Sequence, residues 1–318
     1  MDQVSKKTTL KHHIFRTLNS FIVLTWLLAA CRSTPTPFMP PDGTDLAPNG
    51  ETAVAPENTL APTLSPTPTN TPFPLALSVN GESISLAEYD AALTRLLAAQ
   101  PDLLPEEART RILEEYTDQI LLSQAAAQSG FSVDKTLLEE RIDGLVEQIG
   151  SLDTLNTWLA ANGYTDEIFQ LELRRSIAAA WMRDQIIANV PKTAEQVRAR
   201  QILLFSAAEA ADVYNQLQSG VTFEVMLAYY DPIGLGDLGW FPRGYLTESA
   251  IEETVFSLEL EKYSPVIETP IGFHIIQLMD RQPDRPLDPD AYLVLQEKTL
   301  ADWLAQQRAQ SNVTVLIP

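Results

Sequence analysis

The residues able to do chemistry are few, and their positions narrow the choice quickly. The chain has three histidines and one cysteine in 318 residues. His12 and His13 lie in a leader-like segment, so a chain beginning at Cys31 keeps one imidazole, His274, and one thiol. One thiol makes no intrachain disulfide, redox pair or cysteine-based metal site. One imidazole excludes a multi-histidine metal centre and confines Ser-His-Asp catalysis to the surroundings of a single position. No cofactor or metal is expected. His274 stands in the apolar run Phe273-His274-Ile275-Ile276, where a strand would carry it either as a working polar group or as a hydrogen-bonded interior histidine.

Upstream of Cys31, Lys6, Lys7, Lys11 and Arg16 precede an apolar run from Phe21 to Ala30. That order is the layout of a secretory signal peptide. The run is too short to cross a hydrocarbon core of ~30 Å, which needs about twenty residues. Leu28-Ala29-Ala30-Cys31 resembles a bacterial lipobox, which implies that the Cys31 thiol is acylated and that residues 1–30 are removed. Residues 1–30 hold four of the 22 basic and one of the 42 acidic residues, which leaves 18 and 41 and a formal charge of −23. Such a chain repels phosphate backbones and anionic headgroups, so no nucleic-acid partner is expected, and membrane attachment falls to the lipid anchor.

The elements that must position His274 follow a leader (1–31) and a tether (32–74). The tether holds eleven of the 22 prolines and a single basic residue, Arg32. It cannot bury enough apolar surface to order itself, and its 43 residues reach roughly 35 Å as a coil or ~130 Å if wholly polyproline-like. From Leu75 a short hairpin is expected, turned at Asn80-Gly81. Ser85 with Glu88 makes a capping box that opens a helix to about Gln100. Further helices are read at 105–129, 133–148, 152–161 and 166–188, each with a start signal and a glycine, asparagine or proline stop. The pattern then changes. Thr193 with Gln196 is expected to cap a helical turn, 199–205 to form a strand, 207–218, 223–230 and 248–258 helices, and 238–241 and 272–279 strands. That order predicts a small α+β unit. A last helix at 289–310 and an apolar strand at 313–317 need a packing partner, for which the N-terminal helices are available. The division expected is 75–190, 191–283 and 284–318.

Two stretches of the small unit carry a resemblance. Gly236-Asp237-Leu238-Gly239-Trp240-Phe241 with Arg243-Gly244, and Gly272-Phe273-His274-Ile275-Ile276, resemble the paired signature blocks of parvulin-type (PpiC/rotamase) peptidyl-prolyl cis-trans isomerases. Arg198 to Leu203, Phe256-Ser257-Leu258 and Ser264-Pro265-Val266 keep that family's order. The flanks, with Val79-Asn80-Gly81-Glu82 and the helix at 169–182, are similar to the chaperone domain of SurA/PrsA-type foldases. The resemblance implies an α+β fold class, a mostly helical chaperone domain with a small parvulin-like domain inserted. It implies Leu246, Ile251 and Phe256 around a proline ring, and Asp231, His274, Thr269 and Gln201 as a polar floor.

The chain departs from the family pattern at three places. Gln201 stands where a histidine is usual, and an amide donates and accepts but carries no charge. The loop from Asp231 to Gly236 is short, and Asp231 before Pro232 is also a turn former in its own right. One extra residue between Gly244 and Phe256 puts Ile251 where phenylalanine is usual. The function implied is an extracytoplasmic, lipid-anchored folding factor at the bacterial membrane, isomerising X-Pro bonds in unfolded or partly folded exported polypeptides. A catalytically silent holdase of the same architecture is the alternative. A solute-binding or adhesive lipoprotein fits the anchor and stalk but leaves the paired blocks unexplained.

Overall fold

A computed structural model describes residues 74–317. The signal-peptide, Cys31 and tether readings fall outside these residues. The described residues form two compact units, Lys135–Gly163 and the remainder. The smaller unit is the helix pair α3 (Lys135–Ile149) and α4 (Leu152–Ala161), whose buried positions are Leu138, Leu145, Leu155 and Leu159. Ser151 caps α4 by accepting the Thr154 N–H.

In the larger unit, strands β1 (Leu75–Val79) and β2 (Glu82–Ser85) form the expected hairpin. Asn80 and Gly81 take φ values of 53° and 90°, the left-handed pair that a two-residue hairpin turn requires. The chain's end, β7 (Val313–Val315), pairs on the other side of β1, giving the order β2-β1-β7. Asn80 fastens it: its Oδ1 accepts the Asn312 N–H at 2.9 Å and its Nδ2 donates to Ser311 Oγ at 3.1 Å. Helix α1 (Leu86–Ala99) starts at the Ser85/Glu88 capping box, both bonds of which are present. Helices α2 (Pro105–Gln128) and α5 (Asp166–Ala188) pack against each other. The apolar face of the hairpin closes on α1 and α2 through Leu77, Ile84, Tyr89, Ile112 and Ile120. Helix α9 (Pro289–Gln310) lays Leu300, Trp303 and Leu304 against Leu122, Ala179 and Ile186 of α2 and α5.

The small sheet holds the chemistry. Strands β3 (Thr193–Leu204), β4 (Asp237–Pro242), β5 (Ile267–Thr269) and β6 (Gly272–Pro286) make an antiparallel sheet of order β4-β3-β6-β5. Helices α6 (Ala207–Gln218) and α7 (Phe223–Tyr230) cover one face over Ile202, Leu204 and Ile275. Helix α8 (Ser249–Ser257) covers the other, over Val197, Ala199, Ile276 and Leu278. Each fully buried aliphatic or phenylalanine side chain contributes about 1.5–3 kcal/mol, so the sheet is clamped from both sides.

The helical turn expected at Thr193 does not form. Residues 193–198 are the first half of β3, paired with β6 as far as Pro286. The Gln196 amide, 1 % exposed, donates to the carbonyls of Arg285 and Pro286 at 2.9 and 3.0 Å. A capping signal worth about 1 kcal/mol yields there to a ladder with several long-range partners. For the same reason β6 runs beyond 279, and the three-residue β5, which has no local signal, forms against its start.

Candidate active site

The site is built from pairing register. On β3, Gln201 lies opposite Ile276, and Leu203 lies opposite His274 on β6. Gln201 and His274 are therefore diagonal neighbours on one face, a spacing that long side chains bridge. His274 also faces Ile267 of β5, which puts Thr269 two residues along that strand. The three side chains form a chain of hydrogen bonds. His274 Nδ1 lies 2.9 Å from Gln201 Oε1, and His274 Nε2 lies 2.8 Å from Thr269 Oγ1. The Thr269 hydroxyl is also 3.2 Å from the Gly272 carbonyl and accepts the Ile271 N–H at 3.3 Å. His274 is 1 % exposed. Burial pushes its pKa below the ordinary histidine value, and the nearby Glu248 carboxylate opposes that shift, so the ring is neutral at pH 7.

Period-two alternation along β6 puts His274 on the same face as Ile276 and Leu278, the face covered by α8. Leu246, Ile251 and Phe256 belong to that face's apolar cluster. Leu246 is partly buried, while Ile251 and Phe256 are buried. Phe256 is enclosed by the protein's own groups: Phe241 meets its ring edge-on at 6.2 Å between centroids, and the Arg243 guanidinium lies 4.1 Å above it.

Asp231 sits at the end of α7, and its carboxylate closes the loop that follows. Oδ1 accepts the Gly234 N–H at 2.9 Å and Oδ2 the Gly236 N–H at 3.0 Å. The loop is pinned beside the triad by the Gln201 N–H, which donates to the Gly236 carbonyl at 2.8 Å. A Cβ on Gly236 would lie 2.0 Å from the Gln201 carbonyl oxygen, so only glycine permits this approach.

The sequence reading missed three contributors. Leu238 and Ile267 pack partly buried against the same cluster as Leu246. Glu252 on α8 accepts the backbone N–H groups of Gly244, Tyr245 and Leu246 at 2.7, 3.1 and 3.1 Å, and so fixes the turn that presents Leu246. Neither Ile267, on a strand with no local signal, nor Glu252 could be picked out from the sequence.

The sequence of this region matches known families. A model described as a PPIC-type PPIase domain matches residues 186–280, and one described as a SurA-like N-terminal domain matches residues 64–183. The foldase protein PrsA of Halalkalibacterium halodurans is 26 % identical over 265 residues, covering 76 % of this chain and 72 % of that protein. A parvulin-like PPIase of Rickettsia conorii is 23 % identical over 230 residues, covering 68 % and 77 %. A crystal structure of the peptidyl-prolyl isomerase PrsA from Bacillus anthracis is 21 % identical and covers 63 % of this chain and 96 % of that one, with a TM-score of 0.41. The unit around His274 is thus a parvulin-type peptidyl-prolyl cis-trans isomerase domain. Preceded by a SurA-like N-terminal domain, it gives the chain the two-domain organisation of a protein-folding factor with a peptidyl-prolyl isomerase domain.

Proposed function

We propose that the His274 face is where this foldase twists X-Pro bonds, and that it does so outside the cytoplasm, on exported chains, while held to the bacterial membrane by acyl chains on Cys31. The domains serving this would be the tether of 32–74, a helical chaperone domain at 75–190, the isomerase unit at 191–283 and the terminal helix and strand at 284–318.

The observation that carries the catalytic part is the buried His274 with both ring nitrogens engaged, on the face that also bears Leu246 and Ile251. Rotation about a peptide bond is opposed by ~18–20 kcal/mol of amide resonance, so uncatalysed X-Pro isomerisation takes tens to hundreds of seconds. A group that binds the twisted amide better than the planar one lowers this barrier, and each ~1.4 kcal/mol of preference is tenfold in rate. The twisted amide has a less polar carbonyl, which an apolar wall accommodates better than water does. Leu246 and Ile251 supply that wall, and Phe256 backs it from within. His274, Gln201 and Thr269 supply fixed dipoles that need no reorganisation as the bond turns. Asp231 acts by holding the 231–236 loop against Gln201.

A protease-coupled assay on Ala-Pro and Leu-Pro peptides tests this. Acceleration at micromolar protein is expected, with a loss of at least about tenfold in kcat on His274→Ala while the domain stays folded. No acceleration in the unaltered chain would leave a holdase that binds chains without turning their prolines. Labelling with radioactive palmitate tests the anchor: label retained by Cys31→Ser would refute it.

A further inference from the structure

The end of the sheet at which His274 lies is more apolar and less basic than a solvated rim needs to be. Three connections leave that end. β3 ends at Leu204 opposite Phe273, and Phe205 follows. The 231–236 loop enters β4 there, tied to Gln201. The β5–β6 turn carries Ile271, whose N–H bonds the same Thr269 hydroxyl that meets His274. Each connection presents a large apolar side chain to solvent: Phe205 is 79 % exposed, Ile233 96 %, Leu235 52 % and Ile271 50 %. A single exposed leucine needs no explanation, whereas several around one site mark a binding surface. Leu235 adds an independent sign. Its φ is +47°, a left-handed conformation in which glycine is favoured and a leucine is strained, so the position retains a side chain against its backbone preference.

Charge narrows the occupant. Residues 205–206, 231–236 and 270–271 contain no lysine or arginine and one acid, Asp231, and the Glu248 carboxylate is near enough to act on the His274 ring. An anionic residue seated on these connections would meet no basic side chain of theirs and two like charges.

We propose that Phe205, Ile233, Leu235 and Ile271 form the docking edge for the substrate residue next to proline. This edge makes the site select X-Pro segments in which X is a large apolar residue over those in which X is acidic or phosphorylated. The inference rests on the isomerase reading of the His274 face and names the substrate class of that site.

The test uses the full chain and fluorescent peptides that differ only in Leu, Ala, Glu or phosphoserine before proline. Binding is read by fluorescence anisotropy and turnover by a protease-coupled assay. Leu-Pro is expected to exceed Glu-Pro and phosphoserine-Pro by about tenfold in both readouts. The double variant Ile233→Ser, Leu235→Gly should bring Leu-Pro down to the level of Ala-Pro and leave Ala-Pro where it was. Leu235→Gly alone should keep the melting temperature, because glycine suits that φ. Equal values for the four peptides, or a double variant that loses Ala-Pro as much as Leu-Pro, would overturn the docking edge. A Leu preference in anisotropy without any turnover would keep the docking edge and sink the isomerase reading; turnover without preference would do the reverse.

Discussion

Gln201 meets His274 through its carbonyl oxygen, Oε1 to Nδ1 at 2.9 Å, and this fixes the state of the ring. An amide oxygen only accepts, so Nδ1 carries the proton and Nε2 offers its lone pair to the Thr269 hydroxyl at 2.8 Å. Gln201→Glu places a charge at the same spot and favours the imidazolium. In a protein without residues 1–30, His274 is the only histidine, so one imidazole signal reports the change. Its NMR titration midpoint should rise by about one unit or more, with activity at pH 7 falling as the ring becomes charged. An unmoved midpoint would show that the two side chains do not touch in solution.

Gly236→Ala tests the clamp between the short loop and β3. The added Cβ meets the Gln201 carbonyl oxygen at 2.0 Å and Leu227 Cδ2 at 2.8 Å, at a φ of +61°. Gly220→Ala is the control, since its φ is +101° and nothing lies within 4 Å of the added atom. Urea unfolding should show a loss of about 1–2 kcal/mol for the control, from backbone strain alone, and at least about 2 kcal/mol more for Gly236→Ala. Equal losses would mean that the loop does not press on Gln201.

What the sequence made legible was the part encoded within a few residues. Ser85 with Glu88 announces a helix, and its side chain caps the helix that follows. The Asp231-Pro232 turn reading also corresponds to what the carboxylate does, accepting amides three and five residues ahead. The first half of β3 was misread because Gln196 takes its partners at 285 and 286, some ninety residues away, while its local signal points to a cap. The meeting of Gln201, Thr269 and His274 spans 73 and 5 residues of sequence. No periodicity brings these together; only the resemblance of the paired blocks pointed to it.

Glu252 is where the sequence was silent and the structure is specific. Its carboxylate holds three consecutive amides at 244–246, so Glu252→Ala strands up to three donors and should cost about 2 kcal/mol of stability. Because the turn carries Leu246 rather than the polar triad, the kinetic effect should fall on KM for Leu-Pro peptides. His274→Ala should fall on kcat. A Glu252→Ala protein that loses kcat with KM unchanged would place Glu252 in the chemical step and contradict its role as a brace.

Stability against pH should carry two opposed contributions. In the helical part, Glu172 is buried, with Tyr116 and Tyr164 donating to its two oxygens at 3.1 and 3.0 Å. Glu115 lies beside Tyr116 on α2. Burial, opposed by Arg111 and helped by Glu172, pushes its pKa up to about 7. A carboxyl whose folded pKa is raised stabilises the fold below its unfolded value, near 4.5, and loses that contribution as pH rises to about 7. His274 acts the other way. Its folded pKa is depressed, so its contribution is present above about 6.5 and is lost as pH falls below it. Glu115→Gln should therefore stabilise the protein by about 1–2 kcal/mol at pH 8, after allowance for solvent screening, and by almost nothing at pH 4.5. His274→Gln should flatten the acid limb only. Melting curves collected from pH 4.5 to pH 8.5 check both, and a Glu115→Gln protein with the same pH slope as the unaltered chain would place that carboxyl in water rather than in a buried setting.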